Sequence, residues 1–275
     1  MFKLTATNRD WIIDKPQIMA IMNATPDSFF TGSRHSNMDV AIETAASFIE
    51  NGADIIDVGG QSTRPGAPIV HAQEEIERVI PLISAISKAF PNVLISVDTF
   101  RSEVADAAIA TGAHIVNDIS CGQFEPSILE VVARNKAAYI GMHITGDIES
   151  MHIRPESRVS VMNEVLAFFK LKMDLLAAAG IQEWVIDPGF GFGKTTAENF
   201  ELVKSLSLLT TLQLPILLGV SRKSSIYKTL GISPEEALNG TSVVHTIGIQ
   251  NGAHILRVHD VKEAREVIQL MEYLH

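Results

Sequence analysis

Ten polar residues stand at or just past the ends of eight short apolar runs in this chain: Asn23, Asp57, Asp98, Asn117, His143, Asp187, Ser221 with Lys223, and Arg257 with His259. A lone Asp in such a place usually caps a helix, and Asp260 is assigned to that class. A whole rim of such groups would be hard to stabilise without a ligand or ordered water, so the set reads as functional. Arg64, Lys223, Arg257 and His259 bring cationic donors into a chain of net charge −10, which points to a localised anion site, most simply a phosphate or diphosphate. Asp98, Asp187 and Asn117 suit a flat nitrogen heterocycle. A carboxylate accepts two parallel N–H bonds, and an amide serves both donors and acceptors.

Other motifs compete with that reading. Residues Gly189 to Thr195 (GFGFGKT) resemble a P-loop, which needs a first glycine five positions before its Gly-Lys pair; counted back from Gly193, that position is Pro188. The glycines therefore read as a tight loop that lets backbone approach a ligand. The nine histidines include no tight ligand pair, which argues against zinc. Lys223 has the residue type for a Schiff base, with Arg222 beside it to lower its pKa, but nothing else singles that chemistry out. In the loop Gln61 to Ala67, Arg64 at a Pro-Gly turn is either an anion clamp or a solvated surface arginine. In the loop from Asn23 to Phe30, Phe29 and Phe30 follow a Pro turn and serve either local packing or a lid.

The elements that must position these groups follow from the hydrophobic pattern. Strands are expected at Ile18–Met22, Ile55–Val58, Val93–Val97, Ile115–Asn117, Ala138–Met142, Trp184–Ile186, Ile216–Val220 and Ile255–Val258. Their near-continuous apolar character is that of parallel strands buried on both faces. Between them lie amphipathic stretches; Ile76, Val79, Ile80, Ile83 and Ile86 keep helical spacing, and Pro81 should kink that helix or mark its start. Ser233-Pro234 and Asp260 are read as helix starts, and Gly52, Gly112 and Gly252 as helix ends that open strands. Eight strand–helix alternations in 275 residues predict a single-domain (β/α)8 TIM barrel over 1–275, with its site at the C-terminal strand ends. The polar start from Met1 to Asp10 shows no secretory pattern and no run is long enough to span a membrane, so a cytoplasmic protein is expected. The lone Cys121 excludes an internal disulfide framework, and an acidic chain without basic runs argues against nucleic acid and anionic membranes.

Taken together, the segments Asn23 to Phe29 (NATPDSF), Gly59 to Gly66 (GGQSTRPG), Val97 to Thr99, Asn117-Asp118, Met142-His143, Asp187 to Thr195, Ser221 to Lys223 and Arg257 to Asp260 resemble the dihydropteroate synthase family. The likeness runs from about Ile18 to Val261, with the motifs in family order. It implies a TIM-barrel transferase that joins 4-aminobenzoate to a hydroxymethyl-dihydropterin diphosphate, with Mg2+ as cofactor and a homodimer as the assembly. By the same resemblance, the pterin pocket is Asp98, Asn117, Met142, Asp187, Phe192, Gly219, Lys223 and Arg257. The diphosphate falls to Asn23, Thr63, Arg64, Arg257 and His259, with Asn23 toward the metal. The aminobenzoate falls to Phe29, Thr63, Pro65, Ser221 and Lys223. Catalytic roles fall to Arg64, Asp98, Lys223, Arg257 and His259. Two positions depart from the family pattern: Thr31 stands where Asp is usual, and Gln61 where Glu is usual. Two rivals are a corrinoid-linked pterin methyltransferase, which needs no diphosphate clamp, and a non-catalytic pterin-binding paralogue, which turnover would exclude.

Overall fold

An antiparallel hairpin, β1 (Phe2–Ala6) and β2 (Arg9–Ile13), precedes eight parallel strands: β3 (Gln17–Asn23), β4 (Ile55–Gly59), β5 (Leu94–Asp98), β6 (Ile115–Asp118), β7 (Ala138–Met142), β8 (Val185–Asp187), β9 (Leu217–Leu218) and β10 (Ile255–Val258). The computed structural model describes residues 1–24, 34–62, 69–154 and 159–274, with residues 34–37 as backbone only. Phe29, Thr31, Thr63, Arg64 and Pro65 lie outside the described residues. The strand order is β8-β7-β6-β5-β4-β3-β10-β9. A parallel bridge between Ile186 and Ile216 joins the two ends, with the Ile186 amide donating to Pro215 O at 3.0 Å, and closes the barrel. This is the expected (β/α)8 barrel.

Strand periodicity decides which residues face the barrel axis. Met19, Ile55, Ile115, Ile140, Val185, Leu217 and Ile255 pack in one interior cluster, while Ile18, Ile56, Val58, Ile95 and Val97 pack outward against the helices. Two residues further along five of these strands, the inward position turns polar or small. Ile55 gives way to Asp57, Ile115 to Asn117, Val185 to Asp187, Leu217 to Gly219 and Ile255 to Arg257. The sequence thus builds an apolar floor beneath a polar rim.

The hairpin was not expected. Leu4, Trp11 and Ile13 join the interior cluster and stopper the lower end of the barrel. Its signal is the alternation of both strands, in which Lys3, Thr5, Asp10 and Ile12 face solvent and their neighbours do not. Trp11 is 1 % exposed, and its indole N–H donates to Gln17 Oε1 at 2.7 Å. Trp11→Phe keeps an aromatic stopper but removes that donor, so it should cost about 1–2 kcal/mol in urea unfolding without altering the fold. A loss of native circular dichroism would instead make the indole indispensable to folding.

Three local expectations need correction. Pro81 does not mark a helix start: it lies inside the helix Ala72–Ala89, on its exposed side, where losing an amide donor costs least. Ser233 opens a turn closed by its amide to Glu236 Oε2 (3.0 Å), and the helix itself starts later, at Leu238–Gln250. Asp260 occupies the cap position of the helix Val261–Glu272 but makes no cap bond. Its carboxylate is taken instead by Arg222, through Nε (2.8 Å) and Nη2 (2.7 Å). The three glycines Gly52, Gly112 and Gly252 do take the left-handed φ of helix ends, at 98°, 127° and 98°.

Candidate active site

Lateral register brings the strand ends to one level. Asn23 pairs with Gly59, Gly59 with Asp98, and Asp98 with Asn117, while Met142 pairs with Asp187 across the barrel wall. Arg257, from β10, reaches over this floor. Its Nε donates to Asp57 Oδ2 at 2.7 Å and its Nη2 to Asp98 Oδ2 at 2.6 Å. Asn117 Nδ2 donates to the same Asp57 oxygen at 3.1 Å. Asp57 is fully buried, so it acts as the anchor for two expected pterin-pocket residues. Sequence reasoning placed Asp57 on the rim but gave it no part in any ligand set.

The second half of the site gathers around Gly219. A Cβ there would lie 3.9 Å from Asp187 Oδ2, 4.0 Å from Lys223 Nζ and 3.8 Å from Arg257 Cβ. A larger side chain would fill the space those three groups surround. Asp187 Oδ1 accepts from the Gly189 amide at 2.8 Å. Lys223 Nζ donates to Phe190 O and stands 4.7 Å above the Phe192 ring. Met142 is buried with Phe100, Ile119, Ile144 and Met151, and Phe192 packs against that cluster to form an apolar wall. Ser221 and His259 meet at the edge: Ser221 Oγ lies 3.2 Å from both the His259 amide and its Nδ1.

Burial sets the electrostatics. It raises the Asp98 carboxyl to about 7 against the opposing pull of Arg257, with Asp57 adding to the rise. It also raises Asp187, opposed by Lys223. Lys223 falls to about 8, chiefly through burial, with Asp187 opposing and Arg257 assisting. Arg222 is therefore not the neighbour that lowers Lys223; its guanidinium is turned toward Asp260. His143 also departs from the rim expectation. It is buried, packs edge-on against Phe168 with centroids 4.9 Å apart, and is held neutral by burial, which lowers it to about 2. The run Gly189 to Thr195 is no P-loop, as its spacing implies. Thr195 caps the helix Thr196–Lys204 in a capping box with Glu198, and Lys194 bonds carbonyls of its own loop.

Among the described residues, no three His, Cys, Asp or Glu side chains gather as a metal site. Asn23 ends β3 level with Gly59, and its side chain carries an amide oxygen. A single amide oxygen suits only a cation that keeps most of its waters, as Mg2+ does, and draws its other ligands from a bound phosphate. It does not resemble an all-protein cage.

Comparison with known proteins agrees with this geometry. The family model described as "Pterin binding enzyme" matches residues 19–259. The dihydropteroate synthase of Escherichia coli (strain K12) is 41% identical over 272 residues, covering 98% of this chain and 95% of that one. The crystal structure of Yersinia pestis dihydropteroate synthase with a sulfonamide drug complex superposes with a TM-score of 0.91 at 39% identity, covering 99% of each chain. The Xanthomonas albilineans dihydropteroate synthase with 4-aminobenzoic acid gives a TM-score of 0.91 at 37% identity, covering 99% of this chain and 97% of that one. A barrel of this topology, a rim of paired carboxylates and cations, and likeness over nearly the whole length converge on one conclusion: the chain belongs to the dihydropteroate synthase family of pterin-binding enzymes.

Proposed function

We propose that the chain, acting over 1–275 as one catalytic domain, transfers the dihydropterin-6-ylmethyl group from its diphosphate ester to 4-aminobenzoate. The products are 7,8-dihydropteroate and diphosphate, and the step belongs to folate biosynthesis. The observation that carries the proposal is the space bounded by Gly219, Asp187, Lys223 and Arg257 beside Asp98 and Asn117. It presents carboxylates and an amide to a nitrogen heterocycle, and cations to an anion.

In this reading Asp187 accepts from the pterin amino group and ring N–H, while Asp98 and Asn117 hold the opposite edge. Met142 and Phe192 wall the ring, and Lys223 and Arg257 complete the pocket. The diphosphate lies toward Asn23, Arg257 and His259, with Thr63 and Arg64 supplied by the loop outside the described residues. The aminobenzoate lies against Ser221 and Lys223, with Phe29, Thr63 and Pro65 closing its slot. Asn23 would hold a magnesium ion brought in with the diphosphate, which would supply positive charge against the leaving group.

The C–O bond to diphosphate breaks first, and the electron-rich ring carries the resulting positive charge on its exocyclic methylene. Arg257, His259 and Arg64 stabilise the departing anion, and Asp98 places negative charge beside the cation. The neutral aniline nitrogen then forms the C–N bond and releases a proton, so no strong base is needed. A homodimer in the cytoplasm is part of the same proposal and rests on family likeness. No helix among the described residues is long and apolar enough to cross a membrane.

The test is a coupled assay for diphosphate release. Purified protein with Mg2+ should release diphosphate only when both substrates are present, with dihydropteroate forming in equal amount. Firm pterin binding with no product under any metal condition would favour a non-catalytic pterin binder.

A further inference from the structure

The run Gly189 to Lys194 is held open by two lysines. Gly189, Gly191 and Gly193 have φ of 70°, 87° and 54°, conformations that side chains rarely adopt. A Cβ at Gly189 would sit 2.1 Å from His143 O, and one at Gly191 would sit 2.9 Å from Lys223 Cδ. The winding this permits turns three carbonyls toward ammonium groups. Lys223 takes Phe190 O from the pocket side. Lys194 takes Gly189 O at 2.9 Å and Phe192 O at 3.1 Å, binding the two ends of one turn together. On the ring side of the same turn, Phe192 is stacked on His152, with centroids 5.5 Å apart and planes at 22°, and carries Lys223 Nζ at 4.7 Å. None of the roles assigned above uses Lys194.

We propose that Lys194 is a positioning residue for the pterin. By tying Gly189 O to Phe192 O, it fixes the Phe192 ring between His152 and Lys223 as the wall of the pterin pocket, without touching substrate. The inference rests on the pterin reading of that pocket. Bonds from a charged donor to two carbonyls are the strong kind, and they add to the Phe192 amide on Gly189 O (3.1 Å) and the Gly191 amide on Asn199 Oδ1 (2.7 Å) that also hold the turn. Asp187 and Lys223 also lie within electrostatic range of Lys194, so a direct charge effect on the pocket is the rival explanation.

Substitution separates the two. Lys194→Met keeps the aliphatic stem without donors, whereas Lys194→Gln keeps two N–H donors without charge. In the full-length protein, Lys194→Met should raise the Kd and KM for the pterin diphosphate roughly tenfold, with kcat within about threefold of wild type. Lys194→Gln should recover most of that loss. Because Lys194 acts through Phe192, its effect should not multiply with that of Phe192→Leu in a double-mutant cycle. If Lys194→Met does not fold, Lys194→Ala, which also lacks donors, carries the same cycle.

Multiplying effects in the cycle, a Gln variant as weak as Met, or a collapsed kcat with unchanged KM would each overturn the proposal. So would a lowered melting temperature with unchanged pterin affinity, which marks a merely structural role. Calorimetry on wild type keeps the two levels apart: a wild-type chain that binds no pterin diphosphate overturns the pocket assignment itself, and this inference with it.

Discussion

Asp187→Asn should weaken binding of the pterin diphosphate by about 2–4 kcal/mol, roughly 30- to 1000-fold, while the melting temperature moves by no more than about 2 °C. The shape of the side chain survives the change. The remaining carbonyl oxygen still accepts from the Gly189 amide, the bond that Oδ1 makes at 2.8 Å. The other position becomes an N–H2 facing the space beside Gly219, where the reading places the pterin amino group and ring N–H. Donor then meets donor. Stability should not suffer, because burial raises the Asp187 carboxyl. A carboxyl whose pKa is raised on folding lowers stability at pH values above its unfolded pKa, so a neutral amide removes that cost at pH 7. Calorimetric titration and a thermal scan of the same variant check both halves. Unchanged affinity with a collapsed melting temperature would make Asp187 a structural residue and sink the pterin assignment.

How far such groups can be read from the chain depends on how local their cause is. The eight barrel strands were legible because parallel strands buried on both faces write a continuous apolar run. The rim was legible because several runs end on a polar residue: Asp57, Asn117, Asp187 and Arg257 each stand two positions beyond a floor residue. Asp260 misled because residue type and position announce a cap, while the bond is decided by Arg222, 38 residues away in sequence. His143 misled for a similar reason: nothing local says that its ring turns outward onto Phe168. The hairpin hides in a segment whose composition is polar, and only the alternation of its two five-residue strands shows that Leu4 and Trp11 are buried. Asp57 was visible as a residue, but its role was not. Holding Arg257 and Asn117 at once is a property of three strands brought together by barrel closure.

That three-strand network sets the second large effect. Arg257→Met should lower kcat/KM by about 1000-fold, the scale of losing a preorganised cationic donor to a developing anion. It should also cost about 3 kcal/mol of stability, because two buried carboxylates lose their shared counter-charge. The pH profile separates chemistry from general damage. In the wild type, kcat/KM should rise with pH through about 7 as Asp98 ionises and can stabilise the pterin cation. Arg257 pulls the Asp98 pKa down, so its removal must move that acid limb to higher pH. Arg257→Lys restores the charge but not the fork that spans Asp57 Oδ2 and Asp98 Oδ2 at 2.7 and 2.6 Å. It should return the acid limb toward its wild-type position while recovering only part of the rate. An acid limb that stays near 7 in Arg257→Met would show that Asp98 does not govern it, and a loss in kcat/KM below about tenfold would remove Arg257 from the diphosphate site.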